Sequence, residues 1–129
     1  MLTGARFGTS DIKRAIAFYD AISEILGATR VIDRPGAVGY RSSEGVLFLV
    51  GTPREGEATV GNGSQVIFAA PTPEAVNAAH ARALELGGTC EGAPGPRGVA
   101  QNGVHAAYFR DPDGNKIMLV FARPDQSTP

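Results

Sequence analysis

One cysteine, two histidines and no tryptophan occur among the 129 residues, and each scarcity narrows what the protein can be. With Cys90 alone, no disulfide can close within the chain, which fits a reducing compartment. A lone buried thiol equally serves as a small apolar residue. Basic and acidic residues number 12 and 13, so neither sign is in surplus to mark a surface for nucleic acid or an anionic membrane. The opening MLTGARFGTSD has no apolar stretch of signal-peptide length, and no segment approaches the roughly 18 uninterrupted apolar residues of a spanning helix. The expected setting is the cytoplasm, with neither nucleic acid nor membrane as a partner. The length suits a single domain, residues 1–122, that buries about two-thirds of its unfolded surface without a staple. The polar, proline-broken residues 123–129 read as a tail.

What is present is said twice. Leu2 to Gly8 alternates as a strand, and Ser10 is a plausible N-cap with Asp11 placing negative charge at a helix start. Ile12, Ala15, Ile16, Tyr19, Ile22 and Leu26 then recur at helical steps until Gly27 stops the helix. Three short apolar strands follow, ending at Val50. After a glycine-rich connection, residues 52–63, the same grammar restarts: SQVIFAA as a strand, Thr72-Pro73 opening a helix, and Leu86-Gly87-Gly88-Thr89 echoing Leu26-Gly27-Ala28-Thr29. Tyr40-Arg41, a turn at Gly45 and a strand are echoed by Phe109-Arg110, the turn at Gly114 and Ile117 to Val120. The expected fold class is α+β, with two βαβββ modules over about 1–51 and 64–122. Two such sheets can meet in a cup whose inner face binds a ligand.

The chain resembles the vicinal oxygen chelate superfamily, which holds glyoxalase, bleomycin-resistance and extradiol dioxygenase proteins. The likeness is carried by Ser10-Asp11 with Ala17 to Tyr19, by Phe68 to Thr72, by Gly92 to Arg97, and above all by AAYFRDPDGNKI from Ala106. It implies paired βαβββ modules forming a cup-shaped mixed sheet, often completed by a second subunit, and in many members a divalent metal at the bottom of the cup. It also implies where the metal ligands should be. The first-strand histidine falls on Gly4, its counterpart in the second module on Gln65, and the last-strand glutamate on Met118, with Phe48 at the end of the first module. Glycine offers no ligand, an amide oxygen is a weak one, and a thioether suits soft ions only. No metal and no other cofactor are therefore expected.

The remaining candidates are binding residues. Arg6 shares a strand face with Gly4 and Gly8, where it can grip a carboxylate or phosphate bidentately or pair with an acid at the rim. Gln65 can orient a polar ligand. Tyr40 and Tyr108 can contact a ligand, although with so few aromatics core packing explains them as well. His105 is a weak catalytic candidate, able to bind or pass a proton, against the alternative of a hydrogen-bonded structural group. His80 reads as a surface or edge residue. GAPGPRG, Gly92 to Gly98, reads as a loop over a pocket mouth with Arg97 as its charge, and no P-loop ending follows it. Asp111, Asp113 and Asn115 imitate a calcium loop, but Lys116 and Ala122 occupy positions that need Gly and Glu. The expected function is metal-independent binding of a small organic molecule, of the drug-sequestering or resistance type, by a homodimer. Arg6, Phe48, Gln65, His105, Met118 and Arg97 would contact the ligand. A glyoxalase-class lyase, isomerase or dioxygenase with a non-standard site and an interaction module with a vestigial cup are the alternatives.

Overall fold

The computed structural model describes residues 1–97 and 103–122. The order is β1 (Gly4–Gly8), α1 (Ile12–Leu26), β2 (Thr29–Arg34), β3 (Ala37–Arg41), β4 (Leu47–Gly51), β5 (Val66–Ala69), α2 (Pro73–Glu85), β6 (Thr89–Pro96), β7 (Val104–Arg110) and β8 (Lys116–Ala122). This is the expected βαβββ unit twice over. Each unit forms its own four-stranded sheet, in the orders β1-β4-β3-β2 and β5-β8-β7-β6. The first strand of each runs parallel to the last, and the remaining pairs are antiparallel.

Local chemistry explains the boundaries. Asp11, not Ser10, caps α1 by accepting a hydrogen bond from the Arg14 amide, and Gly27 ends the helix at a left-handed φ of 84°. Thr72 caps α2, accepting from the Ala75 amide, with Pro73 in the first turn, where its missing N–H costs nothing. The stretch expected as a loop from Gly92 is instead the second half of β6, paired with β7 through two register shifts at its glycines. Arg97 directly follows that strand. Gly98, and the tail expected over 123–129, lie outside the described residues.

The two helices cover one face of each sheet. Val38, Tyr40, Phe48 and Val50 of the first sheet, and Ala107, Phe109, Ile117 and Leu119 of the second, are buried there in a single cluster with Ala15, Phe18, Tyr19, Ile22, Val76, Ala79 and Ala83 of the helices. The cluster spans both modules: the Phe18 ring lies 5.8 Å from Phe109, and the Phe48 ring 5.0 Å from Phe68. Fully burying one such ring is worth about 1.5–3 kcal/mol, so these rings tie the two halves into one core.

Candidate functional site

Strand register decides which expected residues share a surface. Arg6 pairs with Leu49, which pairs with Gly39, and Ile67 pairs with Met118, which pairs with Tyr108. These two rows lie on the faces opposite the helices, so Arg6 and Met118 stand where alternation puts them. Phe48 does not. It aligns with Ala5 and Tyr40 on the helix face, 8% exposed, against Phe7, Tyr19 and Phe68. The residue of β4 that matches Met118 is Leu49, because Tyr40 pairs with Phe48 as Phe109 pairs with Ile117.

His105 is likewise displaced from the cup. It shares the helix face with Ala107 and Phe109, and its Nε2 lies 2.9 Å from Asn77 Oδ1 of α2. That contact identifies a strut between sheet and helix. His80 is not at the surface as expected: it is 6% exposed on the inner side of α2. Its Nε2 finds no partner among the described residues. Burial lowers its pKa below the ordinary histidine value, against a hydrogen bond with the Tyr108 backbone that raises it. Arg97 donates to the Ala93 and Pro96 carbonyls, and its guanidinium carbon sits 6.0 Å from the Tyr108 ring centre.

The asymmetry between the two seams where the modules meet was not foreseen. At one seam the turn Asp111 to Asn115 acts as a rivet. Asp111 accepts from the amides of Asp113 and Asn115 and from the Asn115 side chain, and Tyr19 of the opposite module donates to it at 2.6 Å. Asn115 Nδ2 also donates to the Gly8 carbonyl at 3.0 Å. Asp113 accepts from the Thr9 hydroxyl, the Ser10 amide and hydroxyl, and Arg14. Burial pushes both carboxyls up. For Asp111 burial wins, whereas for Asp113 the bonds from Thr9 and Ser10, with the charge of Arg14, bring the net shift below the usual carboxylate range.

At the other seam the same turn is built from different residues. The Ser42 amide donates to the Val46 carbonyl at 2.9 Å, as Asp111 does to Asn115 at 2.8 Å, and Gly45 matches Gly114 in φ, 90° against 96°. But a serine and a valine stand where the rivet has Asp and Asn. Counting back from Gly27 and from Gly87, the position of Tyr19 falls on Ala79. Among the described residues nothing in this turn hydrogen-bonds across to the second module. Instead a cavity of about 560 Å³ opens between the edges of β1 and β5. Phe48, Val66, Phe68, Leu26 and Ala5 make it apolar, and Tyr40, Ser23, Ser42, Glu44 and Gln65 place polar groups on it. Tyr40 donates to Asp20 at 2.8 Å, and burial with that bond raises its pKa, so the phenol stays protonated. Of the residues expected to bind a ligand, Phe48 and Gln65 thus meet at this cavity. Reading SSEGV beside DPDGN was the signal that could have found it.

The positions that the superfamily's metal would use do not fit a divalent ion. Gly4, Gln65, Met118 and Leu49 supply no imidazole, thiolate or carboxylate, and among the described residues no three His, Cys, Asp or Glu side chains gather as a metal site.

A family model described as Glyoxalase/Bleomycin resistance protein/Dioxygenase superfamily matches residues 5–119. A glyoxalase/bleomycin resistance protein from Albidiferax ferrireducens T118 is 39% identical, with a TM-score of 0.85 over 96% of this chain and 99% of that one. A glyoxalase-related enzyme from Fulvimarina pelagi is 19% identical, with a TM-score of 0.71 over 94% and 87% of the two chains. The genomically encoded fosfomycin resistance protein FosX from Listeria monocytogenes is 17% identical, with a TM-score of 0.69 over 98% and 96%. The last two share the fold. No curated protein sequence matches the chain.

Proposed function

The chain belongs to the Glyoxalase/Bleomycin resistance protein/Dioxygenase superfamily, and from that premise we propose that it is a metal-independent binder of a small, largely apolar organic molecule. The reading is carried by the open seam. Its cavity of about 560 Å³ falls within the roughly 300–1,000 Å³ of small-molecule sites and has their character, apolar walls with a few polar groups. Burial of an aromatic ligand against Phe48 and Phe68 supplies the affinity, and Gln65, Ser42 and Tyr40 set its orientation. Sequestration of a toxic compound requires nothing more. A resistance role of the kind that FosX's name describes is the physiological form of this proposal.

Two further points support a homodimer in a reducing cytoplasm. Among the described residues β1 and β5 each end a sheet with an unpaired edge, and Leu2 and Ile67, which border the cavity, are 66% and 57% exposed. A second copy over that edge would shield both. Cys90 is free and exposed, as a thiol can remain where disulfides do not persist.

The test is a thermal-shift screen of planar aromatic compounds on wild-type protein and on Ala5→Leu, which fills the cavity from β1. A binder raises the melting temperature of the wild type by selective binding to the folded state and leaves the variant unmoved. Equal shifts in both proteins would place the ligand elsewhere. Light scattering reports the dimer independently.

A further inference from the structure

We infer that the protein carries a second binding site, for the oxyanion of a small molecule, at a recess bordered by Arg6 of the first module and Lys116 of the second. The recess is about 220 Å³ and is bordered also by Gly8, Ser64 and Asn115. It shares no residue with the apolar cavity, so it stands apart from the function proposed above.

Three observations converge. First, Arg6 and Lys116 both border the recess, and among the described residues no carboxylate residue lines it. Among the described residues neither Arg6 nor Lys116 forms an ion pair, so no acid of the chain already neutralises them. Two cationic side chains that border one recess without an acid favour an anion there.

Second, the guanidinium is held but not consumed. One nitrogen, Nη2, donates to the Thr52 carbonyl at 3.0 Å, which fixes the group's position and leaves donors for a bidentate oxyanion contact. Gly51 makes the room: a Cβ there would come within 2.7 Å of Arg6 Nη2. Lys116 Nζ rests 5.4 Å from the centre of the Tyr108 ring. It is held by a π face, which an anion can outcompete.

Third, the wall is the rivet itself. Asn115 and Gly8 are joined by a hydrogen bond there, and an anion gripped from both modules would reinforce that seam. Ser64 adds a hydroxyl donor from the connection between the modules.

The experiment uses the whole chain at low ionic strength, titrated with inorganic phosphate and, separately, with malonate, read by calorimetry and by amide NMR shifts. Saturable binding of at least one anion, with shifts at Gly8, Gly61 and Ser64, is expected. Which arm responds separates a phosphoryl from a carboxylate ligand. Arg6→Gln should weaken binding about tenfold, the loss of a charge-assisted bond. Arg6→Lys should recover only part of it, because the fork is gone, and Lys116→Gln should weaken it less. An apolar ligand of the other cavity should bind all three variants as it does the wild type. Absence of saturable shifts at those amides with both anions, or unchanged affinity in Arg6→Gln, would overturn the assignment.

Discussion

The phenol of Tyr19 donates to the carboxylate of Asp111 at 2.6 Å, joining α1 of the first module to the closing turn of the second across 92 positions of sequence. Both groups are buried, and burial raises the pKa of each. The bond is what lets a polar turn lie inside a shared core, since a buried acceptor left unpaired costs more than an ordinary bond gains.

Tyr19→Phe removes the donor and leaves Asp111 short of a partner. Denaturant unfolding should show a loss of about 1–3 kcal/mol. Combining it with Asp111→Asn should cost less than the sum of the two changes, because they disrupt one network. Strict additivity would show that the pair does not act as a unit.

Stability should fall on mild acidification through His80. Its folded pKa lies below the ordinary histidine value, so the unfolded chain takes up the proton first and stability drops as pH falls below about 6.5. The loss stops growing once pH is below the folded pKa. Melting temperatures between neutral and moderately acidic pH should flatten in His80→Gln relative to wild type, and parallel curves would remove His80 as the cause.

His105→Ala tests a placement. Because His105 contacts Asn77 rather than a cavity, the change should cost on the order of 1 kcal/mol of stability and leave ligand affinity where it was. A large fall in affinity at unchanged stability would return His105 to the binding surface.

Met118→Glu restores the one carboxylate most conspicuously missing from the superfamily pattern. Zinc, nickel or manganese titrated into that variant should still find no tight site, since Gly4 has no side chain and Gln65 only a neutral amide. Stoichiometric tight binding would refute the assignment of ligand positions to Gly4, Gln65 and Met118.

How much was legible in the sequence follows from the range of each interaction. Gly27, the Thr72-Pro73 start and the DPDG turn are local devices, and each is found where the sequence puts it. The face of Arg6 follows from alternation within one strand. Phe48 and His105 lie on the helix face and not on the opposite one for a shared reason: a one-residue offset turns a strand residue to the other face, and only pairing with the neighbouring strand fixes the parity. Gly92 to Pro96 looked like a loop because its glycines and prolines weaken a strand, yet register shifts against β7 accommodate them. The burial of His80 depends on which side of α2 meets the second sheet, information that the weakly patterned PEAVNAAHARALE does not hold.

By itself the sequence determined the duplicated βαβββ order and the turn geometries. These are set by neighbours along the chain or by residue identity alone. Only the tertiary structure decided which seam is riveted and which stands open, and so where a ligand cavity lies. That outcome depends on side chains such as Tyr19 reaching, or Ala79 failing to reach, a turn far away in sequence.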